Sequence, residues 1–385
     1  MKRTRVIYWN NIPAPYMVDR YNAVVDSSDM GLEVWFNQRT EPDRSWTVDE
    51  AGWRFPYVYA RTISLLGHAF GIPPRVPGRA ECDLIVSLYA EPVFILGWAL
   101  AKVRGVRTAF WVEVTFDAVT PRSAWKERVK RFMFERVDAI LTPGLDGREY
   151  AMRYGAAPEK VFLLPHVVDV DAISCAADAS RPARADRRQA LGLSGTVFLY
   201  VGHLWKDKGL DALLDAYKAV HGRLRDETCL VLVGEGVDGD HLRHRCEAED
   251  IRGVEFVGFK EGAALIDLYG AADVFVFPTL GDTWGLVVEE AMACGLPVIS
   301  SDAAGEIRSR ISDGETGLVV PSGRVDKLAA AMMRLALDAP MRRRVAEAAR
   351  RSVQGHGPLQ WAKTFEGAVE AIVLGRPAPG SVARG

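Results

Sequence analysis

A chain of 385 residues exceeds what one ordinary hydrophobic core organises, so two domains are expected. Its 49% apolar, 25% charged and 9% aromatic residues exclude the disordered and fibrous classes. A formal charge of −2 leaves no general basic field, so no nucleic-acid partner is expected beyond what a local patch could serve.

The opening MKRTRVIYWNN holds a short apolar run, which reads as a first strand over 5–9 and not as a secretory leader. The loop 10–16, NNIPAPY, leaves the carboxyl end of that strand and ends on Tyr16. In open α/β sheets this is the edge where ligands sit. Helical spacing over 17–25 and a strand over 32–36 follow. Strands are expected at 83–87 and 108–112, with a crossover helix over 91–104 between them. Glu91 and Pro92 interrupt the apolar stretch 86–103, so no membrane-spanning helix is expected. The later strand runs into FWVEV, which sets Glu113 at its carboxyl end. Residues 125–136, WKERVKRFMFER, read as a basic amphipathic helix with Lys126, Arg128, Lys130 and Arg131, a solvated face with i,i+4 pairs. Short strands over 138–141 and 160–164 close the first series. The Ala-, Arg- and Asp-rich segment 176–188 reads as a surface connection, with a helix beginning near its end.

From residue 196 a second α/β series starts. Strands over 197–201, 229–233 and 254–257 alternate with helices over 211–221, 241–249 and 263–269, a pattern that dictates a parallel sheet with helices on both faces. Strand 274–277, VFVF, then leads through the turn 281–285 into a helix over 286–294, which Gly295, Leu296 and Pro297 stop before strand 298–300. The start of such a helix offers free N–H groups and a positive dipole end to an anion near Asp282–Gly285. Asp282 stands at the entrance and Glu290 about two turns further, at roughly 1.5 Å per residue, so one ligand can span both. Glu289 is out of register and reads as a solvated helix residue. Residues 358–373 are helical, and 376–385 form a Pro-, Gly- and Ser-rich frayed tail. Cys82, Cys175, Cys229, Cys246 and Cys294 are widely spaced without a C-x-x-C pair, as in a cytoplasmic protein with reduced thiols. Asp169-Val170-Asp171, Asp238-Gly239-Asp240 and the nearby His241, His244 and Cys246 give no second ligand cluster, so no metal is expected.

The run D-T-W-G-L-V-V-E-E-A-M-A-C-G-L-P-V resembles the E-x7-E signature of family-4 retaining glycosyltransferases, with Asp282 and Glu290 in the acidic positions and Asp for the usual first Glu. The resemblance implies the GT-B fold: two Rossmann-like, doubly wound α/β domains facing across a cleft. Domain 1 would be 1–168 with return of the helix 358–375, and domain 2 would be 169–357. The sequence LPHVVD, 164–169, is similar to the family's P-N-G-V-D hinge, with His166 for Asn and Val167 for Gly.

In that family the first acid and the backbone after it hold the donor sugar, here Asp282, Thr283, Trp284 and Gly285, and the second acid, Glu290, binds the ribose. The loop 201–209, VGHLWKDKG, resembles G-R-L-x-x-x-K-G, whose Arg and Lys grip the donor pyrophosphate. This implies Lys208 for the Lys, His203 in the Arg position, Gly202 beneath, and Lys206 as a substitute charge. A neutral imidazole donates one hydrogen bond and cannot copy a bidentate guanidinium. Gly234-Glu235-Gly236 is similar to the turn beneath the nucleotide, and Phe259 and Lys260 fall where relatives contact the base. On the acceptor side the resemblance points to Tyr16 and Glu113, the latter where the family commonly has a histidine. It implies transfer of a sugar from a UDP- or GDP-sugar to a hydroxyl of a glycan, a lipid-linked sugar or a small molecule, with no cofactor and no metal. A helix such as 125–136 meets a membrane in some relatives, which would put this cytoplasmic chain at the inner face. A sugar-nucleotide 2-epimerase and a non-catalytic nucleotide-sugar binding protein remain alternatives.

Overall fold

The computed structural model of the chain describes residues 3–40, 48–65, 68–89, 91–113 and 124–379. It divides into two compact units: Met1–Val167 with Pro358–Gly385, and Val168–Gly357.

The strands of unit 1 are β1 (Arg5–Asn10), β2 (Gly31–Phe36), β3 (Tyr57–Tyr59), β4 (Arg61–Leu65), β5 (His68–Ile72), β6 (Leu84–Ser87), β7 (Arg107–Trp111), β8 (Ala139–Thr142) and β9 (Val161–Leu163). All but β4 and β5 join one parallel sheet in the order β3-β2-β1-β6-β7-β8-β9, while β4 and β5 form a separate antiparallel pair. β1 shows why the sheet is covered on both faces. Val6 and Tyr8 enter one apolar cluster, and Ile7 and Trp9 enter another, the two-residue alternation of a strand. The helix Pro358–Leu374 contributes Trp361, Phe365, Val369 and Ile372 to the first cluster, at helical spacing, and Phe365 lies 5.9 Å from the Tyr8 ring. Each such buried side chain stabilises the unit by about 1.5–3 kcal/mol.

Unit 2 is built on β10 (Thr196–Val201), β11 (Thr228–Val233), β12 (Val254–Gly258), β13 (Val274–Phe277), β14 (Val298–Ser301) and β15 (Gly317–Val320). Their order is β12-β11-β10-β13-β14-β15, again parallel throughout. The runs TCLVLV and VFVF are buried at every position, as a strand sandwiched between two helical layers requires.

Three expectations change. The helix expected near the end of 176–188 is present as Arg184–Ala190, but the residues before it are not a plain connection: helix Val170–Ser180 and a short 3-10 turn run through them. The cause is charge. Arg184 and Arg188, one helical turn apart, converge on Asp273 at 2.7 and 2.6 Å, and Arg187 pairs with Asp267 at 2.7 Å. The segment 376–379 is anchored and not frayed, because Ala378 is buried and its N–H donates to the Glu159 carbonyl at 2.8 Å; residues 380–385 lie outside the described residues. In the helix Ala124–Arg136, Lys130 does not belong to a solvated face. It is buried, donates to the Tyr150 hydroxyl at 2.7 Å and sits 4.4 Å from the centre of the Tyr154 ring. Among the described residues no helix is long and apolar enough to cross a membrane.

Candidate active site

In unit 2 the strand order reverses direction between β10 and β13, so the crevice outside their carboxyl ends is where a ligand would enter. The loops leaving these two strands, 202–209 and 278–286, are tied to each other. The Leu280 N–H donates to the Asp207 carbonyl at 2.7 Å, and the Thr279 hydroxyl donates to the same oxygen at 3.3 Å. Gly209, at φ +70°, passes so close to Pro278 that a Cβ there would stand 2.1 Å from its carbonyl oxygen. Only glycine fits both the backbone angle and the contact.

Held this way, Lys208 and Asp282 meet. Lys208 Nζ lies 2.9 Å from Asp282 Oδ2, with side chains 14% and 18% exposed. The other oxygen, Oδ1, accepts the Trp284 N–H at 3.0 Å, so both carboxylate oxygens are engaged. The ammonium has three donors and Asp282 takes one; the Asp207 carboxylate is 3.8 Å away.

His203 stacks on Trp205, with ring centroids 4.2 Å apart and planes 11° from parallel, and its carbonyl accepts the Tyr200 hydroxyl at 2.8 Å. Lys206 is exposed in the turn Lys206–Lys208. Backbone pairing continues past the strand ends: Gly202 N–H to Val233 O at 3.0 Å, Leu204 N–H to Glu235 O at 2.9 Å, and Gly234 N–H to Gly258 O at 2.9 Å. This ledge carries Gly202, Glu235 and Phe259 side by side, with the last two side chains exposed.

The helix after Asp282 spans only Val287–Ala293, shorter than its apolar spacing suggests. Gly285, at φ +73°, sets its start, and a Cβ there would meet the Phe277 ring at 2.6 Å. Thr283 is exposed, whereas the Trp284 indole is buried beneath Arg310, whose guanidinium is 4.6 Å from the ring centre. Arg310 also donates to the carbonyls of Trp284, of Gly285 at 3.0 Å and of Gly305 at 3.3 Å. It grips Glu289 with both arms, at 2.7 and 2.5 Å. Glu289 is therefore a buried ion-pair partner and not a solvated residue. Glu290, one position on, accepts the Tyr269 hydroxyl at 2.9 Å. Burial raises its carboxyl above the ordinary value, with Glu289's charge adding to the rise and the Tyr269 hydrogen bond opposing it. Neither Arg310 nor Tyr269 carries a sequence signal: they lie 25 residues after and 16 before Gly285 in the chain, outside any motif.

In unit 1 the two residues expected on the acceptor side are brought together around a third. His166 stands edge-on to the Tyr16 ring at 5.9 Å and to Trp111 at 5.4 Å, and its Nε2 lies 2.9 Å from Glu113 Oε1. Behind it, Arg20 Nη1 is 2.8 Å from His166 Nδ1. The expectation placed His166 in a hinge motif and gave Arg20 no role. Among the described residues no group of three or more His, Cys, Asp or Glu side chains is arranged to hold a metal ion; the Asp169 carboxylate caps the helix Val170–Ser180 through the Ala172 N–H at 3.0 Å.

Residues 184–352, within unit 2, match the family described as "Glycosyl transferases group 1". A D-inositol 3-phosphate glycosyltransferase of Kribbella flavida is 33% identical over 224 residues, covering 55% of this chain and 51% of the relative. The protein of the same name from Actinosynnema mirum is 31% identical over 299 residues, covering 74% of this chain and 67% of the relative. The chain belongs to the group 1 glycosyltransferases. Like other group 1 glycosyltransferases it has the GT-B fold. Anabaena HepE in complex with UDP-glucose superposes with a TM-score of 0.76 at 16% identity, over 96% of this chain and all of the other. Sucrose-phosphate synthase from Thermosynechococcus elongatus gives 0.73 at 20% identity, over 97% of this chain and all of the other. At these identities the likeness is one of fold. This group 1 glycosyltransferase chain spans between 50% and 67% of the length of the curated relatives named here and of one from Acidothermus cellulolyticus.

Proposed function

We propose that the chain is a family-4, retaining glycosyltransferase that moves a sugar from a UDP-sugar to an acceptor hydroxyl without a metal ion. The observation that carries this reading is the Lys208–Asp282 pair at the switch point of unit 2. As the glycosidic bond breaks, negative charge grows on the departing nucleoside diphosphate. Two donors of the Lys208 ammonium remain for its oxygens, and His203 can add one more. Charge held by groups already in place needs no reorganisation during the reaction. With both its oxygens engaged, Asp282 serves by holding Lys208 and the 283–285 backbone in position, and that backbone faces the sugar. Glu290 takes the ribose, and Phe259 with Lys260 flanks the base on the ledge that Gly202 and Glu235 form.

A uridine base is favoured because the Anabaena neighbour is described with UDP-glucose; GDP-sugars are the second choice. The relatives' name suggests an inositol phosphate among the acceptors. Unit 1 would receive the acceptor through Tyr16 and Glu113. The helix Ala124–Arg136 keeps Trp125 and Phe132 exposed, but the burial of Lys130 removes one of four expected surface cations. We favour a solvated cytoplasmic face over a membrane contact there.

The test is incubation with UDP-glucose, UDP-N-acetylglucosamine and GDP-mannose, with and without EDTA, followed by mass spectrometry. Slow, EDTA-insensitive release of UDP supports the transferase. A new nucleotide-sugar isomer would replace this reading with a 2-epimerase. Binding of UDP with no turnover of any donor would replace it with a nucleotide-sugar binding protein.

A further inference from the structure

Unit 1 contains a charged cluster that no donor-side role uses. Arg20 is 0% exposed, and among the described residues no carboxylate lies within ion-pairing distance of it. Its contacts are His166 Nδ1 at 2.8 Å, the Val167 carbonyl at 2.7 Å, Met17 Sδ at 3.1 Å, and the faces of Tyr16 and Trp361 at 4.8 and 5.7 Å. A guanidinium can only donate, so Nδ1 of His166 must accept. The imidazole proton is then on Nε2, which donates to Glu113 Oε1 at 2.9 Å. The Trp111 indole N–H donates to the same Glu113 oxygen.

Glu113 is thus held by one oxygen only. Oε1 receives two donors, Oε2 has no hydrogen-bond partner among the described residues, and the side chain keeps 31% exposure at the carboxyl end of β7. Burial works to raise its carboxyl. His166, the Trp111 N–H and the Arg20 charge outweigh that, so the group stays below the ordinary carboxylate value.

We propose that Glu113 Oε2 is the recognition point for the acceptor, taking a hydroxyl or, more strongly, an ammonium group of an amino sugar or aminocyclitol, with Arg20 and His166 as positioning residues behind it. An ionised carboxylate only accepts hydrogen bonds, so an anionic substituent at this point is repelled. An ammonium makes a charge-assisted bond in the same place. The inference rests on the transferase reading and specifies the acceptor class of that enzyme.

The test compares glucosamine, glucose and glucuronate as probes without donor, by saturation-transfer NMR and competition, on the wild-type chain and Glu113→Gln. Wild type should bind glucosamine about tenfold more tightly than glucose, and glucuronate least. Glu113→Gln should erase the tenfold preference. No preference, no binding of any probe, or a preference that survives in Glu113→Gln overturns the proposal. The positioning roles are read separately by 15N imidazole shifts. In wild type His166 should stay neutral with its proton on Nε2 from pH 8 to pH 6. In Arg20→Met the lost Nδ1 donor should let it protonate in that range, and Arg20→Lys should restore the wild-type pattern. A wild-type His166 that titrates there, or an Arg20→Met spectrum unchanged from wild type, removes the relay. A separate UDP titration of the wild type tests the transferase reading itself. Its failure would sink that reading while the sugar comparison stays interpretable.

Discussion

The carboxyl edges of the two sheets solve a similar electrostatic problem in different ways. In unit 2 the cation and the carboxylate touch directly, Lys208 to Asp282, on loops fastened to each other and partly open to solvent. In unit 1 the cation, Arg20, is sealed, and its effect reaches the partly exposed Glu113 through the His166 imidazole. The first arrangement leaves an ammonium with donors to spare, which would suit the diphosphate of the proposed donor. The second leaves a fixed acceptor oxygen, which suits recognition of a hydroxyl or ammonium. A third pair, Arg310–Glu289, is buried on both sides and serves neither purpose. It locks the loop that carries Asp282.

The comparison can be broken most severely at that third pair. Arg310→Leu leaves the buried Glu289 carboxylate uncompensated and takes a donor from the Trp284, Gly285 and Gly305 carbonyls, of which Gly285 keeps the Val288 N–H. It should cost about 3–5 kcal/mol in urea unfolding. Replacing both partners, Arg310→Leu with Glu289→Leu, should recover much of that loss. A single variant that unfolds with the wild-type midpoint would show that the loop does not depend on the pair.

Lys208→Ala sharpens the contrast between locking and working charges. It should lower UDP-sugar turnover by about 10²–10³-fold. Its effect on unfolding should be only about 0–1 kcal/mol, because the pair it breaks is partly exposed. Wild-type turnover in Lys208→Ala would leave the unit 2 edge without an assigned function.

How far the sequence could be read follows the same division. The loops around Lys208 and Asp282 lie within contiguous strand–turn–helix units, so local pattern carries both their structure and their approach to one switch point. The parallel sheets were legible too, because buried runs such as VFVF and TCLVLV leave few alternatives. Glu289 was misread because its partner, Arg310, is 21 residues away on a separate short helix, and no periodicity reports that. In 176–188 the sequence shows the helix near the end but not what anchors it: an Arg-rich segment looks solvated until Asp273 is placed beside it. The Arg20–His166–Glu113 relay uses three separate stretches of chain and two substitutions relative to the family pattern, so Tyr16 and Glu113 could be suspected singly while their common neighbour could not.

The smallest expected effect separates the two edges by sign. Glu113 has a folded-state pKa below its unfolded value, so its contribution to stability is present above the unfolded value and is lost as pH falls through the folded one. Glu290 has a raised folded-state pKa. Its contribution is present below the unfolded value and is lost as pH rises through the folded one, so at neutral pH its ionised form weakens unit 2. Glu290→Gln removes that charge and keeps an oxygen for the Tyr269 hydroxyl. The melting temperature at pH 7.5 should therefore rise by roughly 1–3 °C, with the gain vanishing near pH 4. Glu113→Gln should lower it at pH 7.5 and matter least in strong acid. Two shifts of the same sign would mean that the carboxylates are held by similar surroundings after all, and the distinction between a fixed acceptor in unit 1 and a desolvated carboxyl in unit 2 would fail.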